Sequence, residues 1–379
     1  MDFETLLLHT GDEYDKTTGA LSKPIYQVST FEQKDVTQKQ DYYYSRSENP
    51  TRKGLETALA KIENGKYGYA FSSGMAAISG VAFALLKNGD HIIAPIDIYG
   101  GSHRLFNRIL PEFGITTTFV DMTNLNNIQA AIKPNTKLLY LETPSNPLLK
   151  VVDIKSCVNI AKENNLITAI DNTFMTPVFQ KPLDLGIDVV IHSATKYLGG
   201  HSDVVAGAVI TNDFSLAKKI YFIQYSLGSI LGPQDSFLLL RGIKTLKLRI
   251  DKQAETTYKL ARWLKEQKWI KNVYYPGFEG TKDYEIQKQQ ASGFGCVVSI
   301  DCQDEQTAYK IMKNVKIWSV AVSLGGVESI ITYPRLMSHN DVPEEDALKM
   351  GITRSLLRLS IGIESFDDLS NDLLQAIDN

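Results

Sequence analysis

Cysteine is scarce in this chain of 379 residues: Cys157, Cys296 and Cys302 lie far apart, with no C-x-x-C pair. An odd, scattered set excludes a disulfide framework and suits reduced thiols in a cytoplasmic protein. Long apolar runs are missing as well, and none approaches the roughly 20 residues a bilayer-crossing helix needs. The start, Met1 to His9, puts acids in front of only three consecutive leucines, which is no secretory signal. Neither sign of charge dominates. With 40 basic against 43 acidic residues and a formal charge of −3, the basic footprint of a nucleic-acid binder is absent. The six histidines show no i, i+4 pairing, so no metal site is expected. Neither G-x-G-x-x-G nor G-x-x-x-x-G-K-[ST] occurs, which removes the usual nicotinamide and P-loop readings. There is no internal repeat and no low-complexity segment.

What is present is ordinary globular material, 43% hydrophobic and 22% charged. Its length suits one large domain plus a smaller one. Residues 1–50 mix polar and aromatic groups without a sustained period and read as an extended arm that needs a second subunit to lie on. From 51 to 242, apolar runs alternate with helical patterns. Leu55, Leu59 and Ile62 mark a helix ending at Asn64-Gly65. Strands are expected at Tyr67–Phe71, His91–Pro95, Thr116–Val120, Lys137–Leu141, Leu166–Ile170, Val189–His192 and Gly207–Ile210. Helices are expected over Gly74–Leu86, Arg104–Leu110 and Ile154–Asn164. That alternation argues an α/β fold with a mostly parallel sheet, helices on both faces and ligands at the carboxyl ends of the strands. From 243 to 379 the pattern shifts to a smaller α+β domain. A long helix passes through Leu260, Trp263 and Leu264, and Leu356–Ile361 reads as a strand.

The segment Ser193-Ala194-Thr195-Lys196-Tyr197-Leu198-Gly199-Gly200-His201 sets a lysine among small hydroxyl residues at the end of an apolar run. A partly desolvated amine there is free to condense with a carbonyl as a Schiff base, and its usual partner is pyridoxal phosphate. Ser193 and Thr195 would bond the cofactor phosphate. The bland alternative is a snorkelling surface lysine. Asp171 closes another apolar strand, where an acid can charge a pyridine nitrogen or merely cap a turn. Ser72-Ser73-Gly74-Met75 opens a helix whose first amides suit an anion. Tyr99 follows a strand and can stack on a ring or sit in a turn. In the arm, Tyr44-Ser45-Arg46 offers a phenol and a guanidinium suited to phosphate. Arg358 lies in an apolar strand, as a clamp for a carboxylate or as half of an ion pair.

In this order, Tyr44-Ser45-Arg46, Asn49 to Arg52, Ser72 to Ala76, Asp97 to Gly101, Glu142 to Pro147, Asp171 to Thr173, Ser193 to His201, Ser323 to Gly326 and Arg358 to Glu364 resemble the pyridoxal-phosphate enzymes of cysteine and methionine metabolism. The match runs over nearly the whole chain. The family includes cystathionine γ-lyase, cystathionine β-lyase, cystathionine γ-synthase and methionine γ-lyase. The resemblance implies a fold type I transferase architecture in a homotetramer of paired dimers. It assigns Lys196 to the Schiff base, Asp171 to the pyridine nitrogen and Tyr99 to the ring and the leaving sulfur. It gives the phosphate to Gly74, Met75, Ser193 and Thr195, with Tyr44 and Arg46 arriving from a neighbouring subunit. Asn146, Ser323 and Arg358 match positions that bind the substrate carboxylate. Val322 stands where members acting on cystathionine often carry glutamate, a likeness to methionine γ-lyases. Gly101 replaces the cysteine those lyases commonly hold, and Arg104 matches lyases that receive the distal charged end of cystathionine. The expected activity is carbon-sulfur cleavage of L-cystathionine by β- or γ-elimination. Methionine or homocysteine γ-lyase, cystathionine γ-synthase and, more distantly, a fold type I aminotransferase are the alternatives.

Overall fold

The computed structural model describes residues 1–378 apart from 12–14, 16, 39 and 338–343. Seven strands build the larger sheet: β1 Tyr67–Phe71, β2 His91–Pro95, β3 Thr116–Val120, β4 Thr136–Glu142, β5 Ile167–Asp171, β6 Val189–His192 and β7 Gly207–Thr211, in the order β1-β7-β6-β5-β4-β2-β3. Only β7 is antiparallel to its neighbours. The central strands β2, β5, β6 and β7 are mostly apolar because both of their faces are buried, whereas the edge strand β3, Thr116-Thr117-Thr118-Phe119-Val120, is only partly covered. Ile93, Leu139, Ile170, Val190 and Ile210 belong to one core, while Ile92, Leu138, Ala169, Val189 and Val209 belong to the other. Each valine, leucine and isoleucine among them contributes about 1.5–3 kcal/mol through burial, and a slip of one residue would exchange the two sets.

Five further strands, β8 Ile270–Tyr274, β9 Val297–Cys302, β10 Ser319–Val320, β11 Ile330–Thr332 and β12 Leu356–Ser360, form a second sheet in the order β10-β11-β12-β9-β8. It packs its own core with helices Glu305–Asn314 and Phe366–Asp378. The long helix Leu246–Leu264 joins the two parts, giving Leu246 and Ile250 to a core of the larger sheet and Leu260, Ala261 and Leu264 to that of the second. Its buried Arg249 donates to the carbonyls of Tyr197, at 2.8 Å, and Gly242.

Two expectations need correction, and three helices are additions. The arm is not wholly extended: Phe3–His9 is a helix, held because Leu7 is fully buried in the core that includes Leu55 and Leu59. The helix expected at Arg104 begins four residues earlier, at Gly100, and changes to a π turn over Leu105–Ile109 and a 3-10 turn over Leu110–Phe113. That uneven winding blurs the 3.6-residue period from which the start was read. The helices Leu125–Ala131, Phe214–Leu227 and Pro233–Ile243 were not anticipated. The second of these leaves Phe214, Phe222 and Leu227 exposed, which masks its apolar stripe.

Candidate active site

The parallel strands all end at one edge, where a cavity of about 440 Å³ opens. It is lined by Gly74, Met75, Tyr99, Arg104, Asn146, Asp171, Ser193, Thr195, Lys196, Val322, Ser323 and Arg358. These are the residues singled out in the sequence, with two exceptions. Tyr44 and Arg46 lie elsewhere on this chain, where Arg46 stacks over the Tyr44 ring and donates to the Tyr225 carbonyl at 2.7 Å. Both are surface residues.

Lys196 stands on the turn after β6. Thr195 fixes that turn by exchanging bonds with Ala206: its hydroxyl accepts from the Ala206 amide at 2.9 Å, and its own amide donates to the Ala206 carbonyl. The amine of Lys196 donates to Ser323 Oγ at 2.5 Å. Burial first, then the charge of Arg358, brings its pKa down from 10.5 to about 8. At pH 7 about a tenth of it is then free amine, against roughly one part in three thousand for an ordinary lysine.

Asp171 ends β5 beside Glu142 at the end of β4, its register partner. Thr173 donates to Asp171 Oδ1 through both its amide, at 3.0 Å, and its hydroxyl. Burial raises the Asp171 carboxyl, opposed by those hydrogen bonds and by the charge of His192. Glu142 is pushed further up, by burial and then by Asp171, so within the pair Asp171 is the better placed to carry the charge. Glu142 Oε2 accepts from the Tyr99 amide at 3.1 Å, which holds the tyrosine at the mouth of the cavity.

Ser73 caps the helix Gly74–Leu85 by accepting from Ala76 N, leaving the first amides of that helix pointing at the cavity. A Cβ on Gly74 would come within 2.8 Å of the Ser193 Cβ, so only glycine lets the helix start approach the Ser193 hydroxyl. At the opposite wall, β12 delivers Arg358, which is 3% exposed. It donates to Asn146 Oδ1 at 2.8 Å, to the Ser323 carbonyl at 2.6 Å and to Thr332 Oγ1. Its Nε is buried without a partner. Ser299 Oγ on β9 donates to the Pro147 carbonyl and so ties the second sheet to the Asn146 loop. The donor set fits pyridoxal phosphate: amides and hydroxyls for an anion, an acid at depth for a ring nitrogen, and one unprotonated-prone amine between them. Among the described residues no cluster suited to a metal ion occurs.

Sequence reasoning passed over Glu142 and Thr173 as site residues, and gave Ser73 a place in the anion-binding turn without its role as the helix cap. Glu142 and Thr173 stood inside quoted motifs, yet their work depends on which strand lies next to which.

Comparison with known proteins gives the same class. A family model described as Cys/Met metabolism PLP-dependent enzyme matches residues 4–378. The chain is 49% identical over 374 residues to the cystathionine β-lyase MetC of Bacillus subtilis, covering 99% of this chain and 96% of that protein. It is 47% identical to a cystathionine γ-lyase of the same organism over the full length of both. A crystal structure of cystathionine γ-lyase from Lactobacillus plantarum, complexed with L-serine, superposes with a TM-score of 0.96 at 46% identity, covering 100% of this chain and 99% of that one. The chain belongs to the pyridoxal-phosphate-dependent enzymes of cysteine and methionine metabolism. Within that family it is an enzyme of the carbon-sulfur lyase type with the fold type I architecture.

Proposed function

We propose that this enzyme cleaves L-cystathionine, and that the observation carrying the reading is a single cavity with a reactive amine at its centre and two guanidiniums in its walls, Arg358 and Arg104. Cystathionine bears an α-carboxylate at each end. Arg358, already engaged with Asn146, would take the carboxylate of the reacting half, and Arg104 that of the distal half. Bound pyridoxal phosphate supplies an electron sink that makes the α-proton acidic. Asp171 would hold the ring nitrogen. Gly74, Met75, Ser193 and Thr195 would hold the phosphate, with Tyr44 and Arg46 from a second copy. In this reading residues 1–50 are the arm, 51–242 the cofactor domain and 243–379 the C-terminal domain of a cytoplasmic homotetramer.

Lys196 Nζ would take the proton from the substrate Cα and return it further along the substrate, steered by Ser323 Oγ. Tyr99 Oη would protonate the departing sulfur. With water consumed, γ-cleavage gives cysteine, 2-oxobutanoate and ammonia, and β-cleavage gives homocysteine, pyruvate and ammonia.

Val322, 61% exposed at the mouth, favours a second reading, a methionine or homocysteine γ-lyase with an apolar distal subsite. Mass spectrometry of products from L-cystathionine, L-methionine and an O-acyl-homoserine plus cysteine decides between them. Thiol amino acid and 2-oxo acid from cystathionine support the first reading. Methanethiol from methionine with cystathionine untouched overturns it.

A further inference from the structure

Behind the strand ends that face the cavity, one buried carboxylate touches two strands at once. Glu63 follows the helix Pro50–Ile62 and is fully buried. Its Oε1 accepts from His192 Nε2 at 2.5 Å and from Asn172 Nδ2 at 3.0 Å. His192 is the last residue of β6 and directly precedes Ser193, while Asn172 directly follows Asp171 at the end of β5. The rest of the Asn172 amide is committed to Gln180: Nδ2 donates to the Gln180 carbonyl, and Oδ1 accepts from Gln180 Nε2. On the cavity side the same two strand ends are joined by Thr173, whose hydroxyl donates to Asp171 and accepts from the Ser193 amide at 2.8 Å. The segments carrying Asp171 and Ser193 are therefore bound to each other from both faces of the sheet.

Stability alone is a poor reason for Glu63. Burying a carboxylate costs several kcal/mol before its partners offset any of it, and apolar packing is often the more stable choice. Here Glu63 Oε2 is left buried without a partner, as is Gln180 Oε1. The other charged groups packed near the pair are Asp171, whose carboxyl feels the charge of His192, Lys181, whose amine donates to the Ile62 carbonyl and Asn64, and Asp184, which accepts from Asn64.

We propose that Glu63 and His192 are positioning residues, a clip behind the sheet that fixes the spacing between Asp171 and the Ser193–Lys196 turn and so sets cofactor affinity. The inference rests on the reading of Asp171 and Lys196 as cofactor residues. Its test compares the holoenzyme with Glu63→Ala, His192→Leu and His192→Gln, the last keeping an N–H donor for Glu63. The measurements are the dissociation constant for pyridoxal phosphate, the pH midpoint of the cofactor's visible absorbance, and the melting temperature. We expect Glu63→Ala and His192→Leu to weaken cofactor binding about tenfold, the scale on which outer partners of a ligand act, and to move the absorbance midpoint. His192→Gln should return affinity to within about threefold of the parent. Folded Glu63→Ala and His192→Leu variants with parental affinity and midpoint would overturn the proposal. So would a fall in melting temperature with neither cofactor reading changed. If Glu63→Ala does not fold, the His192 pair decides alone. A parent enzyme that fails to bind the cofactor would instead overturn the reading of the site itself.

Discussion

At the scale of single residues, the site converts burial into reactivity. Lys196 lies among Ser323, Asn146 and Arg358 with no carboxylate bonded to its amine, so its charged form is disfavoured. That has a cost in stability with a definite sign. The unfolded chain binds a proton at Lys196 up to about pH 10.5 and the folded apoprotein only up to about 8, so stability rises with pH across that window. Below pH 8 the penalty is fully present, at most about 3 kcal/mol. Lys196→Met should therefore raise the melting temperature of the apoprotein at pH 7, with the gain vanishing near pH 10.5. A gain independent of pH would mean that packing, not the buried amine, is responsible. Arg358→Lys should raise KM for the amino-acid substrate by about tenfold or more, since a point charge cannot serve Asn146, Ser323 and a carboxylate as a planar fork does. Unchanged KM would remove Arg358 from the substrate site.

At the scale of elements, the chemistry is placed by close approaches that only glycine allows. The helix start at Gly74 meets Ser193, and the loop Ser323–Gly326 lies over the lysine turn, where a Cβ on Gly325 would come 2.7 Å from the Tyr197 amide nitrogen. Gly325 also has φ +78°, a conformation other residues adopt only with strain. Gly74→Ala should weaken cofactor binding by about tenfold while leaving helix content intact, as read by visible titration and far-ultraviolet circular dichroism. Equal affinity would show that the phosphate does not sit at this helix start. The central strands were legible from sequence because strands buried on both faces are largely apolar runs, and Asp171 and Lys196 were legible because one ends such a run and the other stands on the turn after one. Glu142 and Glu63 were not. Their importance comes from register across β4 and β5 and from contact between residues more than a hundred positions apart, which no local pattern encodes. The Gly100–Phe113 segment misled in another way, since its α, π and 3-10 turns share no single period.

At the scale of the whole molecule, one chain brings together every predicted site residue except Tyr44 and Arg46. That division fits an arm whose aromatic and cationic groups complete a neighbour's cavity. Co-expressed Lys196→Ala and Arg46→Ala chains should then regain activity that neither variant has alone, because a hybrid site can draw its lysine from one chain and its arginine from the other. Absence of recovery in verified mixed oligomers would confine Arg46 to its own subunit. Among the described residues no helix is long and apolar enough to cross a membrane, and Cys157, Cys296 and Cys302 are buried free thiols.

The claim on which all of this turns is that Lys196 holds the cofactor. Borohydride reduction of the holoenzyme, proteolysis and peptide mass spectrometry test it directly. The account predicts a reduced pyridoxyl phosphate group on the peptide containing Lys196. The same group on another lysine, or on none, would contradict it.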